Sequence, residues 1–211
     1  MNKKYNIVIW AALYAVIVYF IYSEFLKVDK HVDTDLFLEQ SLFRLQKFLY
    51  NTSIFFIMYL FILKLPFASA MFVSRCREEL PMHLITYGLR ICIIYVIYSV
   101  SLHIGIPYFF GTKIPITAEV VLNTVKLFSF VLSMYFLYLY IYIKTNQQVL
   151  GLLSIFVLNL TILTIYFSIS FGLGISPTKE LELNLLSLIS TGLIIVYVML
   201  IIYECKNRDF V

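Results

Sequence analysis

Apolar residues run along this chain in six blocks separated by short polar stretches, at about 5–22, 51–68, 84–107, 121–143, 149–171 and 185–203. Each is close to the roughly 20 apolar residues a helix needs to cross a ~30 Å hydrocarbon core. No water reaches a backbone amide at that depth, so an isolated apolar run must close its hydrogen bonds within itself, as a helix. The pattern predicts an all-α, polytopic membrane protein: six transmembrane helices forming one domain over residues 1–211.

Two of the intervening stretches carry a pattern of their own. Over about 36–50, Leu38, Leu42, Leu45 and Leu49 recur at helical spacing beside Phe37, Phe43 and Phe48. Glu39, Gln40, Arg44, Gln46 and Lys47 fall largely on other faces. An amphipathic helix, capped by Asp33 or Asp35, is expected to lie in the outer interface or on the outer ends of the spans. The second stretch, about 67–82, lies between Pro66 and Pro81 and is too polar to span yet too apolar for a free loop. Pro81 disfavours helix just before it. A short helix along the cytoplasmic surface is expected here, ending in the charged group Arg75, Arg77, Glu78 and Glu79. The segments 104–119 and 172–184, which hold Gly105, Pro107, Gly111, Pro115, Gly174 and Pro177, read as turn-rich outer loops. Lys144–Gln148 reads as a tight cytoplasmic turn.

Composition sharpens this picture. Hydrophobic residues make up 62% of the chain and charged ones 13%, about half the usual soluble share. The longest polar stretch, 23–50, is too short to bury a core alone. The net charge of +4 is scattered over loops, with no basic block interleaved with aromatics, so nucleic acid is not an expected partner. The apolar run after Lys3 and Lys4 is longer than a signal-peptide core and lacks a small-x-small cleavage site, which predicts an uncleaved first helix. With the N-terminus inside, nine basic residues fall on the cytoplasmic side and seven outside, and eight of twelve acidic residues fall outside. Both termini are then cytoplasmic, in accord with the positive-inside tendency. The lysine-, isoleucine-, asparagine- and tyrosine-rich vocabulary suggests an AT-rich bacterial genome, and the expected location is then the bacterial plasma membrane.

Chemistry within the spans is sparse. Cys76, Cys92 and Cys205 share no metal or redox spacing and read as packing residues. Lys126 is placed near the outer end of the fourth span, within snorkelling reach of the surface. His103 reads as an interfacial histidine. Asn123, Asn159, Thr161, Thr164, Ser187, Ser190 and Thr191 can hydrogen-bond between helices. With no mid-depth carboxylate or basic relay, an ion-coupled carrier or a charged-ring channel is disfavoured. Glu78-Glu79 followed by His83 vaguely resembles the paired-glutamate motif of CAAX-type intramembrane proteases. His83 stands where that family has arginine, and the later metal ligands are missing apart from His103. No phosphate-cradling Gly-rich loop exists, so ATP hydrolysis is not expected in this chain.

Six spans, cytoplasmic termini and the loop Phe72-Val73-Ser74-Arg75-Cys76-Arg77-Glu78-Glu79 resemble an ABC-2-type permease subunit, the type V exporter-like kind. The loop is similar to the arginine–x–Ser–Arg loop of small permeases encoded with bacteriocin and antimicrobial-peptide export systems, with Ser74-Arg75 the best-placed pair. That resemblance implies half a translocation pathway for amphipathic peptides, or immunity to them. It implies a second copy or a related permease subunit, surrounding membrane lipid, and a soluble ABC ATPase that binds the ATP. Arg75, Arg77, Glu78 and Glu79 would dock on that ATPase. A non-transporting accessory or immunity protein would need the same helices without the ATPase.

Overall fold

The computed structural model describes residues 3–27, 42, 43, 49, 53–63, 80–110, 116–173 and 179–207. Among them all regular structure is helical, in six helices: α1 Lys3–Lys27, α2 Ser53–Leu63, α3 Leu80–Phe109, α4 Ala118–Thr145, α5 Gln148–Leu173 and α6 Lys179–Asn207. Four of these are long and apolar enough to cross a membrane, over Leu80–Phe109, Ala118–Thr145, Gln148–Ser168 and Leu183–Lys206. At 1.5 Å per residue the shortest still reaches about 31 Å, the thickness of the hydrocarbon core. The chain is therefore a membrane protein. α1 has the length as well, with 25 residues, whereas the 11 residues of α2 cover only about half the core.

Apart from α2, the helices extend beyond the expected spans, because the backbone can stay helical through the interface; α4 shows what stops one. Thr117 caps α4, its side-chain oxygen accepting from the Val120 amide at 3.3 Å, and Glu119 sits in the electropositive first turn. At the far end Asn146 adopts the left-handed region (φ 56°) and its amide donates to the Tyr142 carbonyl at 2.8 Å. Asparagine tolerates that conformation better than most residues. This makes the turn into α5 only Asn146 and Gln147 long, tight as expected.

Two loop expectations are corrected. Gly105 and Pro107 do not lie in an outer loop; α3 runs through both to Phe109. A proline in the last turn removes a single ladder bond, and the helix ends two residues later. At its other end α3 starts at Leu80, with Pro81 in the first turn, where a missing amide hydrogen costs nothing. Residues 80–82 of the expected cytoplasmic segment thus belong to α3.

α4 is the centre of the bundle. Of its span, 61% is buried inside the protein, against 28%, 22% and 17% for α3, α5 and α6. It packs most extensively on α6, then on α5 and α3, while α1 lies against α3 and α2, and α2 against α5. Two glycines allow the closest approaches. A Cβ on Gly88 of α3 would fall 2.0 Å from Tyr135 Cε1, and one on Gly151 of α5 would fall 2.7 Å from Tyr138 Cδ2. Small residues let membrane helices come together where hydrophobic driving force is weak. The Tyr135 hydroxyl then donates to the Leu84 carbonyl at 3.3 Å, tying α4 to α3. Phe130, Tyr135, Phe136 and Tyr138 fill the centre and are at most 2% exposed.

Of the expected amphipathic helix, Leu42, Phe43 and Leu49 are described, and all three are buried in the core.

Candidate functional site

The polar groups inside the bundle gather at two levels, and the deeper one joins three helices. Asn159 lies about 16 Å along α5 from Gln148, and Met134 about 24 Å along α4 from Ala118, so both are near mid-length. The Asn159 side-chain amide donates to Ser53 Oγ of α2 at 2.6 Å and lies 3.4 Å from Met134 Sδ. Ser53 Oγ in turn donates to the Leu49 carbonyl one turn earlier and lies 3.6 Å from Met134 Sδ.

This chain of donors fixes the amide orientation. The Ser53 hydroxyl hydrogen is committed to the Leu49 carbonyl, so Ser53 can only accept from Asn159. Asn159 Oδ1 is left buried, with no partner among the described residues. Beside it a narrow cleft of about 10 Å³, lined by Leu49, Ser53, Phe156, Asn159 and Leu163 among others, has room for about one water. An unsatisfied acceptor at this depth costs about 1–3 kcal/mol.

The second level lies toward the α3–α4 turn. Asn123 and Lys126 of α4 are 6% and 8% exposed, and His103 of α3 is 6% exposed. The His103 Nδ1 pairs with the Ser99 carbonyl at 2.8 Å, which requires the proton on Nδ1. His103 is therefore buried in the helix packing, about two turns before the end of α3. Lys126 lies about 12 Å below the start of α4 with its stem packed into the bundle, and its amine is not among the buried, partnerless polar atoms, as suits a lysine that snorkels. A basic side chain within a span is a candidate functional group. Its signal in the sequence is spacing: Asn123, Lys126 and Ser133 follow at i, i+3 and i+10 and so share one face, the face α4 turns inward.

The threonines and Ser190 of α5 and α6 bond within their own helices. Thr161, Thr164 and Thr191 are exposed and bond the carbonyls of Val157, Leu160 and Ser187 on their own helices. Ser190 is buried but bonds Leu186 of its own turn at 2.7 Å. Cys92 and Cys205 are buried thiols. Among the described residues no group of histidine, cysteine or carboxylate side chains could hold a metal. At the end of the bundle near the α4–α5 turn, the Tyr138 hydroxyl and the Gln148 amide nitrogen are buried beside one another without a completed hydrogen bond.

Arg75, Arg77, Glu78 and Glu79, together with Cys76, lie outside the described residues, immediately ahead of the start of α3 at Leu80. No family model, curated protein or solved structure matches this chain.

Proposed function

We propose that the chain is the membrane-spanning permease subunit of an ABC transporter, exporting amphipathic peptides or conferring immunity to them, driven by a separate ATPase. In this reading α1 and the segment containing α2 complete six spans in a bacterial plasma membrane, with both termini cytoplasmic. Arg75, Arg77, Glu78 and Glu79 dock on the ATPase, and the ATP stays in that partner.

The observation that carries the reading is the mechanical continuity of α3. The helix begins directly after the charged segment, and Gly88, two turns in, is pressed against Tyr135 of the central helix. A rigid helix of 30 residues starting at a charged docking segment can pass a push at one membrane face to the core of the bundle. Charged pairs at such a junction would fix its register.

Aromatic side chains fill the centre of one chain, so this reading puts the cargo route between two permease copies rather than through one. The same filled centre also fits a non-transporting accessory or immunity protein, which is the second reading. The two separate on purification in mild detergent from the native membrane. The transporter reading expects a soluble nucleotide-hydrolysing subunit to co-purify and the Arg75→Glu/Arg77→Glu variant to lose its coupling. Recovery of an intact chain with no such subunit would reject it in favour of the accessory reading.

A further inference from the structure

α1 meets α3, and Phe110 just beyond its end, through aromatic rings at two places with a groove between them. Toward mid-bundle, Tyr14 meets Tyr98 with ring centroids 6.3 Å apart, and at the far end Tyr22 stacks on Phe110 at 5.1 Å. Phe25 also stacks on Phe110, at 5.8 Å, closing that end further. Between the two clasps lies a groove of about 720 Å³, walled by Tyr14, Ala15 and Val18 on one side and by Leu102, Gly105 and Phe109 on the other.

Gly105 is what opens it. A Cβ built there meets nothing within 4 Å, so α3 presents bare backbone to the groove. A glycine inside a helix costs about 0.5–1 kcal/mol relative to alanine in general. Gly88 and Gly151 are explained by the rings packed on them; Gly105 has no such neighbour in this protein.

We propose that this groove is a binding slot for one acyl chain of a phospholipid from the leaflet on the side of the α3–α4 turn. The proposal rests on the chain's place in a membrane and does not depend on the transport reading. The slot is open toward the bilayer, since Tyr19 and Phe109 at its rim are 72% and 84% exposed. Filled with water it would hold about two dozen molecules, and its walls offer them little beyond tyrosine hydroxyls. Hydrocarbon is the filling its walls favour. Its length agrees: the eight residue steps of α1 from Tyr14 to Tyr22 rise about 12 Å, most of the ~15 Å depth of one leaflet. The Tyr22 hydroxyl then stands at the headgroup level, where amphipathic rings gather.

The test counts phospholipids retained on the purified chain by native mass spectrometry after exchange into a mild detergent. Two variants fill the slot from opposite walls, Gly105→Phe and Ala15→Phe. Gly192→Phe is the control, since Gly192 on α6 also has nothing within 4 Å of an added Cβ but lies outside the groove. Wild type and Gly192→Phe are expected to retain one phospholipid more than either slot variant, all measured on monodisperse protein. Wild type retaining no phospholipid, or all four proteins retaining the same number, would overturn the proposal. So would a change from dimer to monomer in Gly105→Phe at unchanged lipid count, which would make the groove a seat for a second copy.

Discussion

Replacing Gly88 by alanine tests the packing that makes α4 the central helix. The added methyl would lie 2.0 Å from Tyr135 Cε1, 2.5 Å from Cδ1 and 2.7 Å from Cζ, where ordinary contact needs 3.4–4 Å. The ring must therefore withdraw by about 1.5 Å, and it has no room to do so. Tyr135 is fully buried, with Phe136 edge-on at 5.7 Å and Tyr138 at 6.5 Å. Withdrawal also breaks the hydroxyl bond to the Leu84 carbonyl. Forcing a methyl into a filled core costs about 1–3 kcal/mol, and an interhelical hydrogen bond in a membrane about 0.6. Gly88→Ala is expected to destabilise the protein by about 2–4 kcal/mol, read by steric trapping or by unfolding in a titration of mixed micelles. Tyr135→Leu should relieve most of that penalty, giving a coupling of about 1–3 kcal/mol in the double-mutant cycle. A Gly88→Ala protein within about 0.5 kcal/mol of wild type, the range of a surface substitution, would refute the α3–α4 contact as described.

The Ser53–Asn159 link gives predictions of opposite sign, measured in the same unfolding assay. Ser53→Ala leaves the Asn159 amide hydrogen-bonded to nothing stronger than the Met134 sulfur and should cost about 1–2 kcal/mol. Asn159→Leu removes the orphan oxygen as well as the donor and should be neutral or stabilising; a loss above about 2 kcal/mol would mean that Asn159 Oδ1 is satisfied after all. Single-cysteine labelling tests topology: positions near Lys113 and Lys179 should label from one side, and positions near Gln147 and Arg208 from the other. Labelling of Lys113 and Gln147 positions from the same side would be incompatible with α4 as a span.

Length and hydropathy made the long helices legible, because a span must be apolar over its whole course. Their ends were legible only where a local cap set them, as at Lys144–Gln148. Gly105 and Pro107 misled because in soluble chains that pair marks a turn, whereas a bilayer makes breaking a helix costlier than keeping one with a missing bond. The identity of the central helix was not legible from hydropathy, since α5 and α6 are more apolar than α4 and yet less buried. Lipid is as apolar as a core, so hydropathy cannot distinguish the two. The usable signal for α4 is the polar face Asn123–Lys126–Ser133, which the helix turns inward. Asn159 was recognised as able to bond between helices, but its partner Ser53, 106 residues away in sequence, depends on tertiary packing alone.

The central claim is that movement at the charged segment before α3 is coupled to cargo in the membrane. The most direct measurement is ATP hydrolysis in proteoliposomes holding the chain and the ATPase proposed to co-purify with it, with and without an amphipathic peptide. The account predicts that peptide stimulates hydrolysis in the wild-type complex, and that Arg75→Glu/Arg77→Glu abolishes the stimulation while the chain stays inserted. Hydrolysis that ignores a panel of such peptides and is unchanged by the charge reversal would contradict it.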